Sequence, residues 1–161
     1  MLFRKATIED CQIVTDIVQN TKAEIYPFYY PKGVADFFAN LHCYEHVLED
    51  IRSGIVYVLE DDGTIVGTGS YKDNHITRVY VLPIYQGKGY GKYIVEQLEL
   101  LMCEYEEIYL DASLAACQFY EHLGYRTHHH DSLKCENGVV LVYDVMTAAV
   151  YWGFNSDLRL R

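Results

Sequence analysis

Residues 79–92, Val-Tyr-Val-Leu-Pro-Ile-Tyr-Gln-Gly-Lys-Gly-Tyr-Gly-Lys, constrain the fold more than any other part of the chain. An apolar, β-branched run stops at Pro83, and Gly87, Gly89 and Gly91 then fall within five residues. Ile94, Val95, Leu98, Leu101 and Met102 follow at helical spacing on one face, so the segment reads as strand, glycine turn and helix start. That order aims backbone N–H groups at a phosphate. The charge pattern agrees. Residues 75–95 contain no Asp or Glu but include Arg78, Lys88 and Lys92, in a chain with 23 acids among 161 residues. An average window of that length would hold about three. Lys92 also falls in the first helical turn, where the helix dipole disfavours a cation unless an anion lies nearby.

Composition narrows the partners. The net charge is −10 and the sequence pI about 5.0, which argues against nucleic acid and anionic membrane surfaces. It suits a cationic substrate, or serves solubility alone. Half the residues are hydrophobic, so the chain is globular and long enough for a substantial core. The five cysteines, Cys11, Cys43, Cys103, Cys117 and Cys135, are widely spaced and form no CxxC pair. They read as reduced thiols of a cytoplasmic protein. The first residues carry no apolar targeting core, and no run reaches the roughly 18 apolar residues of a membrane span.

The remaining pattern is α/β. Residues 2–6 read as a strand, and Thr7 with Asp10 as the cap of a helix through Val18. Tyr26-Pro27-Phe28-Tyr29-Tyr30-Pro31-Lys32-Gly33 breaks the pattern. A second helix is expected over 34–46, reaching as far as residue 51. Strands over 55–60 and 64–72 flank Asp61-Asp62-Gly63, a strong hairpin signal, and a third covers 75–82. After the glycine turn and its helix come a short strand at 108–110 and a helix capped by Ser113 and closed by Gly124. A last antiparallel pair, 125–130 and 139–146, joins around Asn137-Gly138. Residues 1–146 thus form one expected domain. The tail 147–161, apolar at 150–154, is expected to pack on the domain or against a second copy in a homodimer.

Three phosphate motifs compete for the glycine turn. GxxxxGK[ST] fails at Gln86 and Tyr93. GxGxxG fails because Lys92 or Ile94 stands where the last glycine belongs, although Asp111 imitates the ribose acid of that motif. The third fits: Gln86-x-x-Gly89-x-Gly91 resembles the [Arg/Gln]-x-x-Gly-x-[Gly/Ala] signature of the GNAT-type N-acetyltransferases. Val79-Tyr80-Val81-x-Pro83 is similar to that family's fourth strand. Ala115-Ala116-Cys117-Gln118-Phe119-Tyr120-Glu121-His122-Leu123-Gly124-Tyr125 is similar to its Ala-x-x-x-x-Tyr-x-x-x-Gly-[Phe/Tyr] helix and turn. The order of elements over residues 2–146 also agrees.

The resemblance implies a mixed, twisted, mostly antiparallel seven-stranded sheet with about four helices. Its fourth and fifth strands splay to admit the pantetheine arm of acetyl-CoA. Val79, Tyr80 and Val81 would offer backbone groups to that arm. Gln86, Gly87, Lys88, Gly89, Tyr90, Gly91 and Lys92 would wrap the pyrophosphate, where a Cβ would hold phosphates away from the amides. Ser113 stands where many members carry a cofactor-contacting Asn. Tyr120 resembles the general acid that protonates the departing thiolate, and Ala116, Tyr120 and Leu123 fall on one helix face; a tyrosine that merely packs has the same pattern. The segment between the first two helices faces the acceptor in the family. This places Tyr26, Tyr29 and Tyr30 on the acceptor wall, or in the core beneath it, with Glu24, Asp36 and Glu45 favouring a cationic amine. Asp73, His75, His42 and these acids are candidate general bases. In His128-His129-His130-Asp131 only His128 and His130 would share a strand face, and no metal is expected. The expected function is acetyl transfer from acetyl-CoA to a small-molecule or peptide amine. A non-catalytic acyl-CoA sensor or an interaction subunit on the same fold stands as the alternative.

Overall fold

The computed structural model describes residues 1–135 and 138–150. Seven strands, β1 (Leu2–Lys5), β2 (Val56–Asp61), β3 (Thr64–Lys72), β4 (His75–Val81), β5 (Glu107–Ser113), β6 (Arg126–Lys134) and β7 (Val140–Ala149), form one sheet in the order β1-β2-β3-β4-β5-β7-β6. Every neighbouring pair is antiparallel except β4 and β5. Among the described residues five α-helices accompany it: α1 (Cys11–Ile25), α2 (Lys32–Leu41), α3 (Tyr44–Arg52), α4 (Tyr90–Leu101) and α5 (Cys117–His122). The main core lies between the sheet and α4, where Ile94 and Leu98 are fully buried among Leu59, Val66, Ile108 and Met146.

Several local expectations change. Helix α1 runs on to Ile25, because residues 19–25 contain no breaker and Thr21 and Lys22 continue its buried face. Its entry is closed by Asp10, whose carboxylate accepts from the Thr7 N–H (2.8 Å) and from Arg4 Nη1 (2.7 Å). The helix expected over 34–46 is two helices, with Cys43 extended between them (φ −68°, ψ 168°). Their apolar faces serve different clusters. Val47 and Ile51 pack with Val14 and Val58, whereas Val34, Phe37 and Phe38 pack with Tyr26 and Tyr30. Ser113 caps no helix: it ends β5, and α5 starts only after Ala116. Strand β7, expected to end at residue 146, continues to Ala149, opposite Glu107. Asn137 of the expected turn and residues 151–161 of the tail lie outside the described residues.

Two irregularities position the site. Between β3 and β4, Ser70 opposes Arg78 while Tyr71 opposes Ile76, so Thr77 is an extra residue. This bulge, with the Thr77 and Ser70 hydroxyls 2.8 Å apart, changes which side chains share a face. Ile76, Val79 and Val81 all pack toward the main core, and Arg78 and Tyr80 turn to the opposite face. Second, β4 pairs with β5 only at His75↔Tyr109 and Ile76↔Leu110. Beyond these pairs the strands diverge. Gly67 and Gly69 of β3 bring α4 close: an added Cβ would lie 2.8 Å and 2.6 Å from Ile94.

Candidate active site

A cavity of about 720 Å³ fills the wedge between β4 and β5. The glycine turn closes one end of its lining, α5 flanks it, and α1 with α2 covers the far side.

At the glycine turn, Gly87 (φ 75°) and Gly89 (φ 87°) are left-handed, a conformation that costs an L side chain about 1–2 kcal/mol. Gly89 precedes α4, so the N–H groups of the first turn have no helical partners of their own. A Cβ at Gly87 or Gly89 would meet nothing within 4 Å, whereas at Gly91 it would lie 3.2 Å from the Phe119 ring. The first two glycines therefore serve backbone shape and open space, and the third serves packing of α4 on α5. Gln86 Nε2 donates to the Val81 carbonyl (2.9 Å), tying the turn back to β4. Gln86, Gly87, Gly89, Tyr90, Gly91 and Lys92 line the cavity; Lys88 does not, and its ammonium lies 5.2 Å from the Tyr85 ring centre. Lys92 sits 3.9 Å from Glu96 one turn on, so its place in the first turn does not by itself require a bound anion.

Along the wedge, the Leu82 N–H donates to Val66 (3.0 Å), which fixes the phase of the β3–β4 ladder. Alternation then turns the backbone groups of Val79 and Val81 away from β3, toward the gap left by β5. The Val81 carbonyl is occupied there, accepting from Thr21 (3.2 Å) as well as from Gln86. Val79, Tyr80, Val81 and Ser113 all line the cavity. Tyr120, on α5, lines it from the other side and is 7% exposed. Burial, with a smaller contribution from Tyr26, pushes its phenol far above the usual tyrosine range. Tyr80 is raised by the same cause, and its hydroxyl lies 3.1 Å from that of Tyr26.

The far end holds a polar group. His75 stacks on Tyr109 (4.3 Å between centres), and its Nε2 lies 3.3 Å from Asp111 Oδ2, within ion-pair range but not aligned as a hydrogen bond. Arg78 is 5% exposed; its Nη2 donates to Asp50 (2.8 Å) and to His42 Nδ1 (3.2 Å). Burial, then the charges of Arg78 and Lys22, lower the His42 pKa to about 2. His42 is thus neutral with Nδ1 engaged, and is a poor base. Lys22 is buried beneath α2 with its ammonium on the Phe38 carbonyl, and burial brings its pKa to about 7.

Not every expected residue reaches the cavity. Tyr26 lines it. Tyr30 is core instead: its hydroxyl accepts from the Leu114 N–H (2.7 Å) and donates to the Val142 carbonyl (3.2 Å). Tyr29 is half exposed and faces away from the lining. Asp73 sits at the exposed β3–β4 turn with φ 54°, and Glu24, Asp36 and Glu45 are exposed on the helices without lining the site. Conversely, the sequence reading missed Arg78 as a site side chain and missed the aromatic wall of Phe37 and Phe38. The bulge that turns Arg78 inward has no proline, glycine or spacing signal. The β6 histidines also differ. A register shift at His128 places its Nδ1 2.8 Å from that of His129, while His130 pairs with Asp144 (2.6 Å). Among the described residues no three His, Cys, Asp or Glu side chains are grouped to hold a metal, and no helix is long and apolar enough to cross a membrane.

A mixed sheet opened at its parallel pair, with a glycine-turn helix start at the mouth of the opening, defines the N-acetyltransferase fold class. The sequence matches the family model described as acetyltransferase (GNAT) domain over residues 25–147, and the chain belongs to that family. Among curated protein sequences none matches. The fold is similar to a GCN5-related N-acetyltransferase from Rhodopseudomonas palustris (TM-score 0.85, 22% identity, covering 92% of this chain and 94% of that one). It is also similar to the paia N-acetyltransferase of Thermoplasma acidophilum, solved in complex with coenzyme A (0.68, 17%, 92% and 98%). A third similar structure is Salmonella typhimurium yncA with its cofactor acetyl-CoA (0.65, 21%, 98% and 98%).

Proposed function

We propose that the protein transfers an acetyl group from acetyl-CoA to a primary amine, by direct attack while both substrates are bound. The observation that carries this reading is the wedge itself. One continuous cavity joins the glycine turn, the outward-turned backbone of β4 and the Tyr120 phenol, which are the parts thioester aminolysis needs in sequence. The two similar structures that hold coenzyme A or acetyl-CoA support the choice of co-substrate.

In this reading the helix start at Gly89 and the turn before it take the pyrophosphate through backbone N–H groups. Val79 and Val81 offer backbone groups to the pantetheine arm, which aligns the thioester in the gap. The amine enters from the side walled by Tyr26 and Phe38 and must be neutral to attack. His75 accepts its proton, directly or through water, and Asp111 stabilises the imidazolium that forms, because the pair is already at ion-pair distance. Nitrogen bonds to the acyl carbon, the carbon–sulfur bond breaks, the Tyr120 hydroxyl supplies the proton to the departing sulfur, and the second proton lost by nitrogen restores the Tyr120 hydroxyl through solvent. Burial keeps that phenol protonated throughout the working pH range, so its proton leaves only as charge develops on sulfur.

Release of free CoA thiol from acetyl-CoA across a panel of primary amines tests the proposal. Amine-dependent release with the acetylated amine as product is expected. Tight acetyl-CoA binding with no release for any amine would replace this reading with that of an acyl-CoA-binding sensor.

A further inference from the structure

Among the described residues, Arg78 is the one buried guanidinium that lines the candidate site. Its Nη2 is used by Asp50 and His42, but Nε and Nη1 are buried and have no partner among the described residues. A buried donor of a charged group is costly to leave unsatisfied, and Arg78 lines the cavity. The other charges nearby do not supply an acceptor. Asp50 is already engaged on Nη2, Asp111 faces His75, and Lys22 is turned to the Phe38 carbonyl. The acids expected to surround the acceptor, Glu24, Asp36 and Glu45, lie on exposed faces outside the lining. Apolar side chains line the cavity as well: Ile25, Phe37, Phe38 and Leu41.

We infer that the acceptor is an amine that also carries a carboxylate and an apolar body, an amino-acid-like molecule whose carboxylate takes the free donors of Arg78. A guanidinium matches a carboxylate in charge and hydrogen-bond geometry, and the Phe37–Phe38 wall takes the apolar part. The phosphates of the co-substrate are a different anion at a different place. They belong to the glycine turn beyond Val81, the last residue of β4, whereas Arg78, in the middle of that strand, is held by His42 just after α2 and by Asp50 of α3. The inference rests on the acetyl-transfer reading for which part of the molecule enters here, and it reverses the cationic acceptor expected from the overall acidity of the chain.

The test uses products, so that catalysis does not enter. N-acetylleucine, N-acetylmethionine and N-acetylphenylalanine are titrated into the full-length protein with saturating CoA, each beside its uncharged carboxamide. At least one acid is expected to bind about 10- to 100-fold more tightly than its amide, the range of a charge-assisted hydrogen bond. Arg78→Gln should bring the ratio close to one, Arg78→Lys should keep part of it, and CoA affinity should hold in both. Amides binding as well as acids, no acid binding at millimolar concentration, or a ratio unchanged in Arg78→Gln would overturn the inference. If Arg78→Gln does not fold, the wild-type ratio and the Lys variant decide. Amine-dependent CoA release is scored separately. Turnover of neutral amines without acid preference overturns this inference alone, and acid-selective binding without any turnover overturns the proposed activity alone.

Discussion

The hydroxyls of Tyr26, just after the first helix, and Tyr80, on β4, lie 3.1 Å apart, and both residues line the wedge. Both phenols are raised by burial, so the pair stays protonated and acts as a fixed dipole rather than a titrating group. Tyr26→Phe removes one hydrogen bond worth about 1 kcal/mol. The acceptor KM should rise about fivefold, with the acetyl-CoA KM unchanged. A variant that loses thermal stability but keeps normal acceptor kinetics would make Tyr26 a core residue only.

Gly89 has open space around it, so its importance lies in backbone shape. A β-branched residue at φ 87° is strained, and relieving the strain rotates the first N–H groups of α4 away from the cavity. Gly89→Val should lose at least tenfold in CoA affinity by calorimetry while keeping its circular dichroism spectrum. Undiminished affinity in the folded variant would remove the phosphate role from the turn.

Lys22 gives stability a particular pH dependence. Its pKa falls from 10.5 to about 7 on folding, so between these values the unfolded chain binds a proton that the folded chain lacks. Stability should therefore rise with pH across that window, by about 2 kcal/mol from pH 7 to 9. Lys22→Met should flatten the rise in urea denaturation at pH 7, 8 and 9. An equal slope in the variant would assign the effect to other groups.

Asp10 acts in the opposite range. Its hydrogen bonds from Arg4 and Thr7 lower its pKa from 3.8 to about 2. The resulting stability is present above pH 4 and is lost as pH falls toward 2. Asp10→Asn should cost about 2 kcal/mol at neutral pH and make acid unfolding less steep. A loss that is the same at pH 7 and pH 2 would point to packing rather than charge.

Much of this was legible in the sequence, for identifiable reasons. The strand, glycine turn and helix of residues 79–101 announce themselves by composition, because left-handed turns need glycine and an amphipathic helix needs its spacing. The Asp61-Asp62-Gly63 hairpin is equally local. What could not be read was set by distant partners. Thr77 bulges because of its pairing with β3, and that single extra residue turns Arg78 and Tyr80 to the face opposite the main core. Tyr30 looks like Tyr26 in sequence but meets Val142 and Leu114 across more than eighty residues. Gly67 and Gly69 look like ordinary strand residues until α4 packs on them. The acids near the second and third helices were placed only by the fold: Glu24, Asp36 and Glu45 lie outside the cavity lining, while Arg78 is buried and lines it.

The most direct test of the account is single-turnover acetyl transfer by Tyr120→Phe, with acetyl-CoA and amine both saturating and chemistry rate-limiting. Loss of the phenol proton should slow transfer about 10²- to 10⁴-fold, with acetyl-CoA affinity unchanged because the ring still fills its place beside Phe119 and Tyr125. Wild-type rates in that variant would contradict the account and return Tyr120 to a packing role.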